Sequence, residues 1–206
     1  MLWPEERVVL LSKRAKNIGL VLFVLCWIGL QYGAAALEFD RQRILSGQLW
    51  RLWTGHFVHS HWLHFSLNGA AVLALYVIFI ERFRVSDVLL SMLLFPLVIS
   101  CTLLIFYPYL AWYNGLSGVL HAVVGYACIR FAFTRSGWYG LGFFILWGKV
   151  LLELLQHYQG YSYVLAGMMV ITLAHFFGAV VGTLIGLVVL LKPCLEKQYT
   201  AMTGLR

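Results

Sequence analysis

Residues 174–191 read AHFFGAVVGTLIGLVVLL, a stretch without any charged residue and with one histidine near its start. This composition predicts a helix that crosses a lipid bilayer, because about twenty apolar residues span the hydrocarbon core. Gly178, Gly182 and Gly186 recur at every fourth position, a spacing that lets two membrane helices approach closely. The stretch therefore predicts a membrane helix packed against a neighbour, with His175 on nearly the same face as the glycines.

The whole chain has the composition of a membrane protein. It has 206 residues, of which 62% are hydrophobic and 11% charged, and its mean hydropathy is +0.84. These values exclude a water-soluble domain and predict one all-α membrane domain over residues 1–206, with its core at about 17–191. Six apolar segments predict six transmembrane helices, at roughly 18–37, 64–80, 87–106, 117–129, 138–156 and 168–191.

The basic residues predict how these helices are oriented. With six spans in alternation, eleven basic residues fall on one side and three on the other, which places both termini in the cytoplasm. The formal charge of +7 is therefore interpreted as a topology signal, and no nucleic-acid partner is expected. Ala34-Ala35-Ala36 before Glu38 offers a signal-peptide alternative, but cleavage there would upset this alternation. The residues on the predicted cytoplasmic side are Arg7, Lys13, Arg14, Lys16, Arg82, Arg84, Arg130, Arg135, Lys192, Lys197 and Arg206.

Two polar residues in apolar stretches suggest a catalytic pair. Gly115-Leu116-Ser117-Gly118 places a serine between glycines at the start of one segment, and His175 lies in another. A polar group in hydrocarbon is costly, so it needs a reason to be there. A serine and a histidine on two membrane helices suggest a nucleophile and its base. Small residues after Ser117 offer a face that would pack on the glycines around His175 and bring the two side chains together; they are Gly118, Ala122 and Gly125.

Four polar residues are predicted to share one layer of the membrane. At 1.5 Å per residue from the nearest cytoplasmic basic residue, Ser117 lies about 20 Å, Asn68 about 21 Å, His175 about 25 Å and His64 about 27 Å above the inner boundary. All four then fall in the outer half of a core about 30 Å thick. Unrelated polar residues would have no reason to agree in depth.

These residues together resemble the rhomboid family of intramembrane serine proteases. The resemblance is carried by GLSG at 115–118, by His64 with Asn68 one turn later, and by AHFFGAVVG at 174–182. Trp50-Arg51, followed by Thr54, His56 and His59, is similar to the family's pattern in the first outer loop, with one extra residue near Gly55. The resemblance covers about 50–186.

The resemblance implies a six-helix bundle and a role for each matching residue. Ser117 would attack the peptide carbonyl and His175 would take its proton, while His64, Asn68 and the backbone N–H of Ser117 would form the oxyanion hole. No cofactor and no metal are expected. The close histidines His56, His59 and His61 could in principle bind a metal, but no HExxH motif occurs. The supporting residues would be Gly115, Gly118, Gly178, Gly182, Arg51, His56 and His59.

Three further polar residues leave alternatives open. Glu153 is the one acid available near the predicted layer, but it is expected to pair with Lys149 at i,i+4, which favours a Ser-His dyad. Lys149 itself could form a structural ion pair, dock an anionic substrate or lipid head group, or act as the base of a Ser-Lys pair. His121 shares a helix face with Ser117 and could be a rival base, although packing is favoured.

Within the family, the chain is most similar to the rhombosortase branch. The compact size, the GLSGVLH stretch that ends at His121, and the Lys149/Glu153 pair carry this narrower resemblance. It implies a multi-pass enzyme of the bacterial inner membrane whose active site opens to the periplasm. The substrates would be secreted proteins with a C-terminal Gly-Gly motif, an apolar helix and a basic tail. The acyl group could pass to water or to an amine-bearing lipid head group.

Three other functions compete with this one. The first is a general rhomboid protease without Gly-Gly specificity. The second is a catalytically inactive rhomboid-like protein that binds membrane segments, which the intact Ser117–His175 pair disfavours. The third is a membrane protein that holds a haem or a metal through His64 and His175.

Overall fold

The chain forms helices joined by short connections. A computed structural model describes residues 13–79, 81–132, 137–159, 164–165, 168–169 and 171–203. Predicted basic positions Arg7, Arg135 and Arg206 lie outside the described residues. The α-helices are α1 (Lys13–Gln31), α2 (Ala34–Leu37), α3 (Arg41–Leu45), α4 (Arg51–Thr54), α5 (Trp62–Phe79), α6 (Val85–Leu89), α7 (Phe95–Phe106), α8 (Ser117–Arg130), α9 (Trp138–Tyr158) and α10 (Thr172–Thr203).

Shorter elements complete the described fold. A 3-10 turn covers Gly55–Phe57, and a π-helical turn covers Leu90–Leu94 between α6 and α7. Two antiparallel pairs of two-residue strands are present, one pairing Phe39 with Tyr113 and the other Val164 with Met169. The strands are β1 (Phe39–Asp40), β2 (Trp112–Tyr113), β3 (Val164–Leu165) and β4 (Met168–Met169).

The predicted all-helical membrane class is confirmed, but the count of six spans is not. Five helices in the described residues are long and apolar enough to cross a membrane: Lys13–Gln31, Trp62–Phe79, Val85–Phe106, Trp138–Tyr158 and Thr172–Lys192. The remaining predicted segment, 117–129, which is the fourth in chain order, does form a helix, α8. Its 14 residues reach only about 21 Å, which is less than the thickness of a hydrocarbon core.

Several helix boundaries differ from the predicted ones for local reasons. The first predicted helix, 18–37, stops at Gln31, and a turn at Tyr32 and Gly33 separates it from α2. The third predicted helix contains the π turn just before Pro96, whose missing N–H cannot continue the α-helical hydrogen bonds. The last predicted helix starts at Thr172 rather than 168, because Met168 belongs to β4.

The chain divides into two compact units, Met1–Leu116 and Ser117–Arg206. In the first unit, the predicted outer loop is folded around a buried arginine. Arg51 donates from Nη1 to the carbonyl oxygen of Glu38 at 2.6 Å and from Nε to Oε1 of Gln48 at 2.8 Å. Thr54 donates to the carbonyl oxygen of Leu37 at 2.5 Å. A buried guanidinium bonded in this way fixes the path of the chain through the loop.

Two buried histidines complete the first loop. His56, fully buried, lies 2.9 Å from the hydroxyl of Ser100 through Nε2. His59 receives a hydrogen bond on Nε2 from the side-chain amide of Asn68 at 2.9 Å, so its Nδ1–H donates to Oε1 of Gln31 at 3.2 Å. Burial is the main cause that lowers the pKa of His56 and of His59 to about 3. Both rings are therefore neutral at pH 7, and their contacts agree with a structural role in the loop.

Acid should destabilise this unit through the same two histidines. In the unfolded chain these histidines bind protons at about pH 6.5, whereas in the folded loop they bind them only near pH 3. Their neutral forms therefore make their full contribution to the free energy of unfolding above pH 6.5, and this contribution is lost as the pH falls towards 3. Each pH unit in this window costs up to about 1.4 kcal/mol per histidine. Thermal unfolding of the detergent-solubilised protein between pH 7.5 and 4.5 measures the effect.

Variants assign this acid effect to a residue. Replacing His56 with glutamine should flatten the dependence of the unfolding midpoint on pH, whereas replacing the exposed His61 should leave it unchanged. A midpoint that falls equally steeply in both variants would contradict the assignment.

In the second unit, α8 and α10 pack backbone against backbone. A Cβ atom at Gly178 would overlap the carbonyl oxygen of Gly118, and one at Gly182 would overlap the carbonyl oxygen of Ala122. At Gly186 the added atom would lie 3.0 Å from the carbonyl oxygen of Tyr126. The predicted face of small residues is therefore the contact between these two helices, and it sets their separation.

Candidate active site

Ser117 and His175 are brought together by the α8–α10 contact. Ser117 is the first residue of α8, and His175 lies in the first turn of α10. The hydroxyl Oγ of Ser117 lies 2.8 Å from Nε2 of His175, within hydrogen-bonding distance. His175 is only 5% exposed, whereas Ser117 is half-buried. A hydroxyl and an imidazole nitrogen at this distance have the geometry of a nucleophile and a general base.

The other ring nitrogen of His175 contacts an acid. Glu153 in α9 places Oε2 at 2.8 Å from Nδ1 of His175, and its side chain is buried, with the residue 3% exposed. The predicted i,i+4 pair is also present, since Oε1 of Glu153 lies 2.8 Å from Nζ of Lys149. The prediction that Glu153 pairs with Lys149 was therefore incomplete, because the carboxylate also contacts His175. The carboxylate uses one oxygen for each partner.

Lys149 contacts three polar atoms with one ammonium group. Besides Glu153, its Nζ lies 2.7 Å from Nε2 of His121 and 3.1 Å from Nδ1 of His175. The side chain is 41% exposed, so one side of the ammonium group lies at the edge of the buried cluster.

His121 is bonded to the backbone of Ser117 and not to its hydroxyl. Nδ1 of His121 lies 2.7 Å from the carbonyl oxygen of Ser117, which requires a proton on Nδ1 and leaves Nε2 to accept from Lys149. Its ring also stacks on that of His175, with centroids 4.2 Å apart and planes 11° apart. These contacts favour the predicted packing role over that of a rival base.

The same cluster contains the one group of potential metal ligands found among the described residues. One ligand atom each from His121, Glu153 and His175 lie within 4.8 Å of one another. Two imidazoles and a carboxylate are a ligand set that zinc accepts. However, the ammonium group of Lys149 already lies 2.7 to 3.1 Å from an atom of all three. A metal ion would have to displace this cation.

The residues predicted for the oxyanion hole belong to the first unit. Both N–H bonds of the Asn68 amide are engaged, one with His59 at 2.9 Å and one with the carbonyl oxygen of His64 at 3.2 Å. The ring of His64 lies against Gly115, where a Cβ atom would be 2.6 Å from its Cε1. Gly115 has a φ of +119°, which glycine adopts without strain.

The comparison with protein families decides the class of protein. The model of the rhomboid domain matches residues 46–192, more than two thirds of the chain. The chain belongs to the rhomboid family. Rhomboid proteins are intramembrane serine proteases that act on transmembrane substrates, so this chain is a multi-pass membrane protein of a protease family. No match was found among curated proteins.

The sequence did not predict that α8, α9 and α10 of the second unit bring their polar side chains into one cluster. Two signals were available, since Ser117 with His121 and Lys149 with Glu153 are both spaced i,i+4. Such spacing says that two side chains share a helix face, but not which neighbour that face meets. The sequence did not show that His175 on α10 contacts both pairs.

Proposed function

We propose that this rhomboid protein is an intramembrane serine endopeptidase in which Ser117 is the nucleophile and His175 the base. The observation that carries the proposal is the 2.8 Å separation between Ser117 Oγ and His175 Nε2. Membership of the rhomboid family supports a protease, and the arrangement disfavours an inactive binder, which would have no need of an aligned pair.

The proposed reaction proceeds through an acyl-enzyme. Ser117 Oγ attacks the carbonyl carbon of the scissile bond as its proton passes to Nε2 of His175. When the C–N bond breaks, the imidazolium gives this proton to the leaving amine. A water molecule then loses a proton to His175 and attacks the ester, and the proton returns to Ser117 as the acid product leaves.

The negative charge of the tetrahedral intermediate needs hydrogen-bond donors. Ser117 opens α8, where the first backbone N–H groups have no partner within the helix and the helix dipole favours negative charge. His64 and Asn68 are proposed as further donors from the family resemblance. Asn68 would first have to release one of its present acceptors, His59 or the carbonyl oxygen of His64.

The finer assignment is to the rhombosortase branch. We propose a six-span enzyme of the bacterial inner membrane, with cytoplasmic termini and a site that opens to the periplasm. In this topology α8 is the fourth span and a short one. Its substrates are then the C-terminal anchors of secreted proteins, built from a Gly-Gly motif, an apolar helix and a basic tail. GLSGVLH and the Lys149/Glu153 pair support this branch.

A reporter with such a C-terminus tests the proposal in proteoliposomes. We expect cleavage by the wild type and covalent labelling of Ser117 by a serine-directed phosphonate that blocks cleavage. A silent reporter together with cleavage of a general helix-breaking transmembrane substrate would reject the branch and keep the protease. Phosphonate labelling at another residue would reject the mechanism.

The mass of the released product distinguishes hydrolysis from transfer. A free carboxylate at the new C-terminus means that water accepted the acyl group. An added mass equal to an amine-bearing head group means transfer. The exposed side of Lys149 next to the site is the feature that favours testing the second outcome.

A further inference from the structure

The acid–base state of His175 depends on which of two neighbours its Nδ1 contacts. Glu153 Oε2 lies at 2.8 Å and can only accept a hydrogen bond, whereas Lys149 Nζ lies at 3.1 Å and can only donate one. When Nδ1–H donates to Glu153, Nε2 has a free lone pair and can take the proton of Ser117. When Nδ1 accepts from Lys149, Nε2 carries the proton and cannot act as a base.

The bonding of Lys149 favours the first state. Its ammonium group forms an ion pair with Oε1 of Glu153 at 2.8 Å and a hydrogen bond with Nε2 of His121 at 2.7 Å, and both atoms are closer than Nδ1 of His175. Lys149 forms an ion pair with one carboxylate oxygen, and the other oxygen of Glu153 faces the imidazole. A buried carboxylate between a lysine and a histidine also avoids the cost of an unpaired charge in a low dielectric.

His121 fixes the remaining freedom of the ring. It stacks on His175 at 4.2 Å and is itself held between the Ser117 carbonyl and Lys149. Rotation of His175 away from Ser117 would disturb this stack.

We infer that Glu153 completes a Ser117–His175–Glu153 triad, and that Lys149 holds Glu153 in the orientation that keeps the proton of His175 on Nδ1. This inference rests on the proposed function. Glu153 and Lys149 act through His175 and are positioning residues. The proton of Ser117 goes to Nε2 of His175, and Glu153 stays ionised throughout.

The substitution Glu153→Gln should reverse the tautomer for a specific reason. The ammonium group of Lys149 should contact the side-chain oxygen of the new amide, because an ammonium group can only donate and the amide N–H₂ group is also a donor. The N–H₂ group then faces Nδ1 of His175, which has to accept, and the proton moves to Nε2. We expect kcat to fall by roughly 10³- to 10⁴-fold with KM changed less than about threefold.

The double variant separates this role from a structural one. In Glu153→Gln combined with Lys149→Met, the amide is free to turn its oxygen towards His175, and kcat should recover at least tenfold over Glu153→Gln alone. Glu153→Asp, which keeps the charge, should also recover part of kcat. The nitrogen chemical shifts of His175 should report Nδ1–H in the wild type and Nε2–H in Glu153→Gln.

The controls use the exposed i,i+4 pair of α10, Lys192 and Glu196, whose atoms lie 3.7 Å apart. Glu196→Gln and Lys192→Met should leave kcat unchanged. If Glu153→Gln keeps kcat within threefold, or if the double variant is no better than the single one although it is folded, the triad is wrong and the pair is structural.

Two further outcomes are distinguishable from these. Activity that survives in Ser117→Ala would overturn the proposed function itself. Loss of activity on treatment with a chelator, restored by zinc, would overturn the triad in favour of a metal held by His121, Glu153 and His175.

Discussion

Replacing Ser117 with alanine should abolish cleavage of the transmembrane reporter, with a loss of kcat of at least about 10⁴-fold. The oxygen of this hydroxyl forms the ester bond of the acyl-enzyme, and a methyl group cannot replace it in any step. The half-buried position of Ser117 at the start of α8 leaves room for alanine, so the fold should be retained. Cleavage per mole of reconstituted protein measures the effect.

His175→Ala should produce a loss of similar size, because nucleophile and base act as a unit and their effects do not add. The double variant Ser117→Ala/His175→Ala should therefore be no worse than either single variant. Exposed residues provide matched controls: Ser46→Ala for the serine and His157→Ala for the histidine should both leave cleavage unchanged. A His175→Ala protein that keeps a tenth of the wild-type rate would contradict the role of His175 as the base.

The contact between α8 and α10 could be predicted from the sequence because it depends on backbone and small residues. Gly178 and Gly182 have no side chains whose rotamers must be known, and their spacing of four fixes the face on which they lie. A face of small residues needs a complementary face, which the residues after Ser117 supplied. The approach of His175 to Ser117 followed from this pairing alone.

The partner of Glu153 could not be predicted in the same way. A glutamate at i,i+4 from a lysine has an obvious local partner, and a sequence gives no information on the second oxygen of the carboxylate. That oxygen reaches His175 on another helix, 22 residues further along the chain. The sequence therefore favoured a dyad, whereas the geometry supports a third member.

The structure of the outer loop could not be predicted from the sequence either, and the predicted count of six spans is not confirmed. Pairing of Phe39 with Tyr113 joins residues far apart in the chain, and no periodicity signals a two-residue strand. The buried position of Arg51 depends on carbonyl groups such as that of Glu38. Hydropathy found the apolar segment at 117–129, and the helix that forms there, α8, has 14 residues, which is short for a bilayer span.

Gly182→Ala should separate α8 from α10 and disable the site without touching a reacting atom. The added methyl group would overlap the carbonyl oxygen of Ala122, and a backbone atom in the middle of a helix cannot move aside as a side chain can. The helices must move apart, and a shift of about 1 Å at the reacting groups can cost about 10² in rate. We also expect overpacking to lower stability by about 1–3 kcal/mol.

The matched control for Gly182→Ala is Gly148→Ala in α9, where nothing lies within 4 Å of the added atom. That substitution should leave cleavage unchanged and raise the unfolding midpoint slightly, because alanine favours a helix more than glycine does. Gly186→Ala meets its neighbours at 3.0 Å and should fall between the two. Phosphonate labelling of Ser117 depends on the distance to His175. It should therefore be highest in Gly148→Ala, lower in Gly186→Ala and lowest in Gly182→Ala. Equal labelling in all three variants would mean that the spacing of α8 and α10 does not control the reactivity of the serine.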